Sequence, residues 1–488
     1  MASKPVSRAL FGVFDRGTCR PRLFSTTPVR RELLDVAHLQ DRIVPRYEET
    51  TASSLLSLQW PQPPRNVLIM PKLHAPHVTR SAIEFARHLS KNYPDLRLVF
   101  ESRIANDIHE SLPFPIYTIM GNSDPTSIFP RKIDLITTLG GDGTILRAAS
   151  LFSLQPSVPP ILSFSMGTLG FLGEWKFDEY KSAWREVYMS GSGVAVDDLA
   201  GPHTQVASNG KNKSSLTTSA PAATTAALQP GATEEETSLD NVVSWGSVRG
   251  QSMGVKRVSR MLLRNRLKVG VYDQNGFNIN DQLVPTSISD PSQGLGSPHK
   301  AGQTGQPPPA FHAINELLIH RGPHPHLAII DIFLNNHFLT EAVADGILVS
   351  TPTGSTAYSL SAGGSIIHPL VGSLLITPIC PRSLSFRPLV LPLNTQVVLR
   401  LSEKNRGREL EVSIDGKRKT GVSIGMEVRV EGEYVGRTAD GSWRGGVPCV
   451  IRAPKKGDAN GVLEDDDGWV GGLNGLLKFN YPFGEVPP

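Results

Sequence analysis

The chain has 488 residues, 39% of them hydrophobic and 19% charged, enough for a core of ordinary size spread over roughly two to four domains. No apolar run approaches the ~18 residues a membrane span needs, and three cysteines (Cys19, Cys380, Cys449) are too few for a disulfide framework, which points to a reducing compartment. The net charge of +4 is uneven: residues 1–31 carry seven basic side chains against Asp15, so the rest of the chain is slightly acidic and offers no basic footprint for nucleic acid.

Residues 1–31 are Arg-rich, acid-poor and supplied with Ser and Thr, the composition of a mitochondrial transit peptide. Arg22-Leu23-Phe24-Ser25 resembles a matrix-protease cleavage site, so the expected location is the mitochondrial matrix. From residue 60 to 195 strand-like and helix-like segments alternate. Val67–Met70 reads as a buried strand, and Val78, Ala82, Phe85, Ala86 and Leu89 follow at helical spacing. Leu96–Phe100, Ile133–Thr138 and Ile161–Phe164 read as further strands, Thr144–Ala149 as the start of a helix and Asp178–Met189 as another. Such alternation predicts a parallel α/β sheet.

Residues 201–240 contain no Phe, Tyr or Trp and are rich in Ser, Thr, Ala, Gly and Pro. Residues 286–310 have the same character. Neither stretch can bury enough apolar surface to offset its ordering entropy, so both read as disordered insertions. Residues 246–468 are otherwise β-rich. Leu327–Leu334, Leu339–Val343, Gly346–Ser350, Thr395–Leu401, Leu410–Ile414 and Met426–Val430 read as strands, with Asn335-Asn336 as a hairpin turn. Strands without intervening helices suggest a sandwich. Residues 469–488 are expected to pack back on the α/β domain.

Gly140-Gly141-Asp142-Gly143-Thr144 follows a buried strand and opens a helix. Parallel sheets bind ligands there, beyond the carboxyl ends of their strands. Glycines admit a phosphate close to the amides, and the helix N-terminus adds partial positive charge. An acid in that turn repels phosphate, so Asp142 needs another task, and accepting a proton from an attacking hydroxyl suits it. A plain strand-to-helix turn with an aspartate cap is the alternative. No P-loop is present, and Leu146 stands where a Gly-x-Gly-x-x-Gly turn needs its third glycine.

A second polar cluster lies downstream. Asn315-Glu316 interrupts an apolar strand, either as edge residues facing water or as hydrogen-bonding groups for ribose or amide. Asp345-Gly346 leads by a strand into Thr351–Gly364, a loop dense in hydroxyls with one aromatic face, Tyr358, for a flat ring. His320, His324 and His326 lack an accompanying Cys or carboxylate cluster and read as loop histidines, so no metal site is assigned. Arg382 and Arg387 suit phosphate contact or surface ion pairs equally well.

Together these residues resemble the NAD kinase family. Gly140–Thr144, Gly167–Leu172, Asn315-Glu316, Arg321-Gly322-Pro323, Asp345-Gly346, Thr351–Gly364 and Thr377–Pro388 occur in the family's order, across roughly residues 64–190 and 250–485. With the N-terminal address, the fungal mitochondrial NADH kinases are the most similar branch. The resemblance implies an N-terminal Rossmann-like α/β domain, a C-terminal β-sandwich domain and an active site between them. It implies ATP-dependent phosphorylation of the 2′-hydroxyl of the adenosine ribose of NADH or NAD⁺, with Mg²⁺ carried on the ATP. Asp142 is then the base, with Gly140, Gly141, Gly143, Thr144 and Arg147 beside the phosphates. Asn315, Glu316, His326, Asp345, Thr356, Ala357, Tyr358 and Ser361 take the dinucleotide. The resemblance also implies a homodimer or homotetramer. A lipid kinase of the same fold and a catalytically silent NAD(H)-binding regulator are the alternatives. Val343 stands where some bacterial members carry a basic side chain, so one substrate contact differs.

Overall fold

The computed structural model describes residues 32–50, 53–121, 123–167, 170–172, 175–191, 258–280, 299–300, 310–419, 421–439, 441 and 443–452, together with Trp469 and Leu473. The expected transit peptide, the 201–240 insertion and most of the 286–310 insertion lie outside these residues.

Asn66–Pro71 is buried along its whole length, as its near-continuous apolar sequence requires of a strand covered on both faces. It pairs in parallel with Arg97–Val99 on one side and Leu135–Leu139 on the other. Ile116–Thr118 and Leu33–Asp35 extend the sheet in parallel beyond Arg97–Val99, and Ile161–Ser165 extends it beyond Leu135–Leu139. The helices α1 (Pro76–Asn92), α2 (Ser102–Ile108), α3 (Pro125–Lys132), α4 (Asp142–Ser150) and α5 (Tyr180–Tyr188) connect or flank these strands. α1 starts on a proline in its first turn and buries Val78, Ala82, Phe85, Ala86 and Leu89, the stripe read from the sequence. With α5 it covers one face of the sheet, while Phe129 of α3 and Ile145 and Ala148 of α4 belong to the core on the other. Buried Asp134 fastens the preceding segment to this sheet, its carboxylate accepting the N–H groups of Ile43, Arg65 and Asn66.

Two antiparallel sheets form the rest. One runs through Leu267–Tyr272, Glu427–Gly432, Val397–Leu401, Ala328–Leu334 and His337–Ala344; the other through Leu389–Pro392, Ser373–Ile379, Gly346–Ser350, Glu316–His320 and Glu409–Ile414. Their inner faces share one core, including Val269, Ile330 and Leu399 from the first sheet and Leu317, Val349 and Ile376 from the second, so the sandwich is as expected. Asn335 and Asn336 have φ of 48° and 67°, the pair of left-handed residues that a two-residue hairpin demands.

The domain boundaries need correction. Arg260–Arg264 and Val447–Ile451, assigned by sequence to the β-rich domain, belong to the α/β sheet. Val447–Ile451 pairs in parallel with Ile161–Ser165 and antiparallel with Arg260–Arg264, which in turn pairs with Ser53–Gln59. Arg46–Thr50 closes that end of the sheet, so strands before residue 60 belong to it as well. The sandwich is thus an excursion from the first sheet. Within the 286–310 stretch, His299–Lys300 pairs with Phe277-Asn278 as a short strand. Of the C-terminal segment, Trp469 meets the ring of His368 edge-on, 4.6 Å between centroids. Among the described residues no helix is long and apolar enough to cross a membrane.

Candidate active site

The order of the parallel strands locates the site. After Asn66–Pro71 the chain moves to one side through Arg97–Val99 and Ile116–Thr118, then returns to the other side with Leu135–Leu139. The switch point therefore lies between the carboxyl ends of Asn66–Pro71 and Leu135–Leu139, where doubly wound sheets open a crevice. Gly140–Thr144 begins there, with Gly141 as N-cap of α4 and Asp142 in its first turn. Gly140 is imposed by packing, since a Cβ would collide with Oγ1 of Thr144, a buried residue. A Cβ on Gly141 or Gly143 would meet nothing within 4 Å, so the turn presents its backbone to open space.

Asp142 is held from outside its own helix. One carboxylate oxygen accepts the N–H of Phe171 at 3.0 Å, and the other that of Leu172 at 3.1 Å. Gly170 lies so close that a Cβ would strike the same carboxylate. Gly170, Phe171 and Leu172, the end of a motif expected only through the family resemblance, thus cradle Asp142. Arg147 reaches back along α4 to the switch point. Its guanidinium donates to the carbonyl of Pro71 at 2.7 Å and pairs with Glu101 at 3.1 Å. Burial lowers its pKa, and the Glu101 charge opposes that.

The second cluster abuts α4. Ile314 shares the core of Ile145, Ala148 and Ala149, which brings Asn315 and Glu316 beside that helix. Both side chains are buried, and Asn315 Oδ1 and Glu316 Oε2 have no partner within the described residues. Ser350, the strand partner of Glu316, likewise has an unpartnered Oγ. Three orphaned polar atoms in one place are what a polar ligand would satisfy. Burial, and next the charge of Asp415, push Glu316 up to about 7, so near neutrality its carboxyl both donates and accepts.

Thr351–Gly364 is stitched to this dipeptide. Thr351 donates its N–H to the carbonyl of Asn315 at 2.9 Å and its hydroxyl to the carbonyl of Ile314. Gly354 packs against the Asn315 carbonyl where a Cβ cannot fit. Thr356 turns its hydroxyl inward, to the carbonyl of Thr353 at 3.1 Å. Ala357 is half-buried, while Tyr358 and Ser361 are exposed on the short helix Tyr358–Ser361. Asp345 pairs with Arg321 at 2.6 Å. His326 is exposed just before Ala328–Leu334, whose first residue pairs with Ala344, so His326 and Asp345 share one end of that strand pair.

Two residues escaped the sequence reading. Asp415 begins a left-handed Asp-Gly turn between Glu409–Ile414 and Lys417-Arg418, with φ of 47° and 72° at Asp415 and Gly416. Its buried carboxylate accepts the N–H groups of Ile314, Asn315 and Glu316 at 2.9, 2.8 and 3.2 Å. Lys417 donates to Ser150 Oγ of α4 at 2.5 Å. The Asp-Gly dipeptide was the available signal, and it reads as any hairpin turn.

The family model described as the ATP-NAD kinase N-terminal domain matches residues 67–192, and that of the ATP-NAD kinase C-terminal domain matches residues 314–435. A mitochondrial NADH kinase of Schizosaccharomyces pombe is 33% identical over 452 residues, 91% of this chain and 84% of that protein. One from Saccharomyces cerevisiae is 30% identical over 449 residues, 88% and 84% of the two chains. The crystal structure of a yeast NADH kinase complexed with NADH superposes with a TM-score of 0.63 at 29% identity, covering 93% of this chain and all of that one.

Proposed function

The chain belongs to the NAD kinase family, and on that premise we propose that it transfers the terminal phosphoryl group of ATP to the 2′-hydroxyl of the adenosine ribose of NADH and NAD⁺, producing NADPH and NADP⁺ in the mitochondrial matrix. The observation that carries this reading is the Asp142 carboxylate, held by the Phe171 and Leu172 amides beside an open glycine turn at the switch point. Asp142 takes the proton as the ribose oxygen attacks the terminal phosphorus and the bond to the ADP oxygen breaks. The backbone of Gly140–Thr144 and the N-terminal end of α4 face the phosphates. Arg147 adds positive charge. Asn315 and Glu316 offer their orphaned oxygens to hydroxyl and amide groups of the dinucleotide. Tyr358 offers an exposed ring face, with Thr356, Ala357 and Ser361 beside it and Asp345 and His326 at the rim.

Mg²⁺ supplies charge neutralisation on the phosphates when bound. Of the nearby carboxylates, Asp142 is engaged by two amides and Glu101 by Arg147, so the protein presents no ready cage and the ion fits best as cargo of ATP. Self-association as a homodimer or homotetramer is part of the reading. A strand at the edge of each sandwich sheet, His337–Ala344 and Leu389–Pro392, exposes Phe338, Leu339 and Val390, and Leu384 is exposed in the loop between Ser373–Ile379 and Leu389–Pro392. The test is phosphorylation by the purified chain with Mg-ATP, offering NADH, NAD⁺ and diacylglycerol side by side. NADPH or NADP⁺ is the expected product. Phosphatidic acid instead, or dinucleotide binding without turnover, would replace this reading with the lipid kinase or the silent binder. The ratio of the NADH and NAD⁺ rates sets the preferred dinucleotide.

A further inference from the structure

We infer that Asp415 is a positioning residue for dinucleotide phosphorylation: its carboxylate sets the Asn315-Glu316 backbone, and the turn it begins locks that dipeptide to the helix carrying Asp142. The inference rests on the proposed kinase reading and names the part of the site that reading leaves out.

Three consecutive amides, those of Ile314, Asn315 and Glu316, converge on one buried carboxylate. Consecutive N–H groups of an extended strand point in alternating directions, so this convergence means the chain bends at Asn315. The bend separates Phe311–Ala313 from Glu316–His320 and delivers the Asn315 and Glu316 side chains, with their orphaned oxygens, to the same place. The Asp415 N–H returns to the Glu316 carbonyl at 3.0 Å, which closes the grip. Two residues on, Lys417 donates to Ser150 on α4. One turn therefore touches both halves of the site, the dinucleotide-facing dipeptide and the helix that begins at Asp142. Nothing else in the mechanism requires a carboxylate at position 415.

The buried charge also acts through space on Glu316. The other titratable groups on elements around Glu316 are Glu409 and Glu411 on the neighbouring strand Glu409–Ile414, Lys417 and Arg418 after the turn, Arg147 and Asp142 on α4, His312 and His320 on its own stretch, and Tyr358 on the loop. Gly346–Ser350, paired directly with Glu316, brings none.

The test compares Asp415→Asn, Gly416→Ala and the parent chain. NADH affinity is read from NADH fluorescence across neutral pH, with KM for ATP and thermal unfolding measured alongside. Asp415→Asn removes a charge-assisted contact shared by three amides and should weaken NADH binding about tenfold or more while KM for ATP stays near the parent value. It should also move the pH dependence of NADH binding to lower pH, because Glu316 loses a like-charged neighbour. Glu316→Gln should abolish that pH dependence in both backgrounds. Gly416→Ala forces an L-residue into a left-handed position, where a Cβ meets no steric obstacle within 4 Å. It should weaken NADH binding without moving the pH dependence, and it stands in if Asp415→Asn does not fold. Equal losses toward NADH and ATP, or an unmoved pH profile in a folded Asp415→Asn chain, would reduce Asp415 to a scaffold residue. A parent chain that fails to phosphorylate NADH would instead overturn the kinase reading itself.

Discussion

Asp142→Asn probes the catalytic argument most directly. The parent carboxylate accepts one amide on each oxygen, from Phe171 and Leu172. Asparagine keeps one acceptor and turns an NH₂ group toward the other amide, forfeiting a charge-assisted hydrogen bond of about 1.5–3 kcal/mol. That is a local loss, and α4 remains anchored by buried Ile145, Ala148 and Ala149. Losing the proton acceptor is the larger effect: a positioned acid–base group contributes about 10²–10⁴-fold, or about 2.7–5.5 kcal/mol of barrier. The assay is kcat for ATP-dependent NADPH formation, with NADH affinity measured separately by fluorescence. The expected result is a fall in kcat of about 10²-fold or more with NADH affinity little changed. Gly170→Ala, which pushes a methyl group into the carboxylate from outside the helix, should lower kcat in the same pattern with Asp142 still present. Near-parental turnover by folded Asp142→Asn would refute the assignment of the base.

Two further expectations concern stability against pH, and they carry opposite signs. Glu316 titrates at about 7 in the fold against 4.5 ordinarily, so between those values the folded chain holds a proton the unfolded chain has released, and stability falls as pH rises through that window. Glu316→Gln should therefore unfold at higher temperature than the parent above pH 7, by a difference on the order of 3 kcal/mol that shrinks toward pH 4.5. His312, held down to about 4 against 6.5 by burial first and then by the Arg266 charge, refuses a proton that the unfolded chain accepts. Stability attributable to it is lost as pH falls from 6.5 toward 4, and His312→Asn should flatten the parent's acid sensitivity in thermal melts over that range.

The parallel strands and α1 were legible because their apolar residues repeat with the period of the element, as at Val78, Ala82, Phe85, Ala86 and Leu89. The glycine turn and the hydroxyl-rich loop were legible because their composition is unusual over short spans. What stayed hidden depends on distance along the chain. Asp415 lies about a hundred residues from the amides it binds, and Asp142 about thirty from Phe171 and Leu172. No local pattern announces either pairing. Val447–Ile451 was placed with the sandwich because a buried strand of an antiparallel sandwich and a buried central strand of a mixed sheet share one vocabulary of residues. Only its neighbours, Ile161–Ser165 and Arg260–Arg264, tell them apart.

That late strand shapes how the protein must be made. Until a ribosome has delivered Val447, the Ile161 end of Ile161–Ser165 lacks its neighbour on that side, where Trp175-Lys176 covers only Phe164 and Ser165. Arg260–Arg264, paired with Ser53–Gln59, has until then no strand joining it to the parallel sheet. Bare edges of this kind invite pairing with other chains. A premature stop or a protease cut ahead of Val447 would therefore unmake the first-synthesised half of the molecule, far from the lesion in sequence, and would leave a product prone to aggregate.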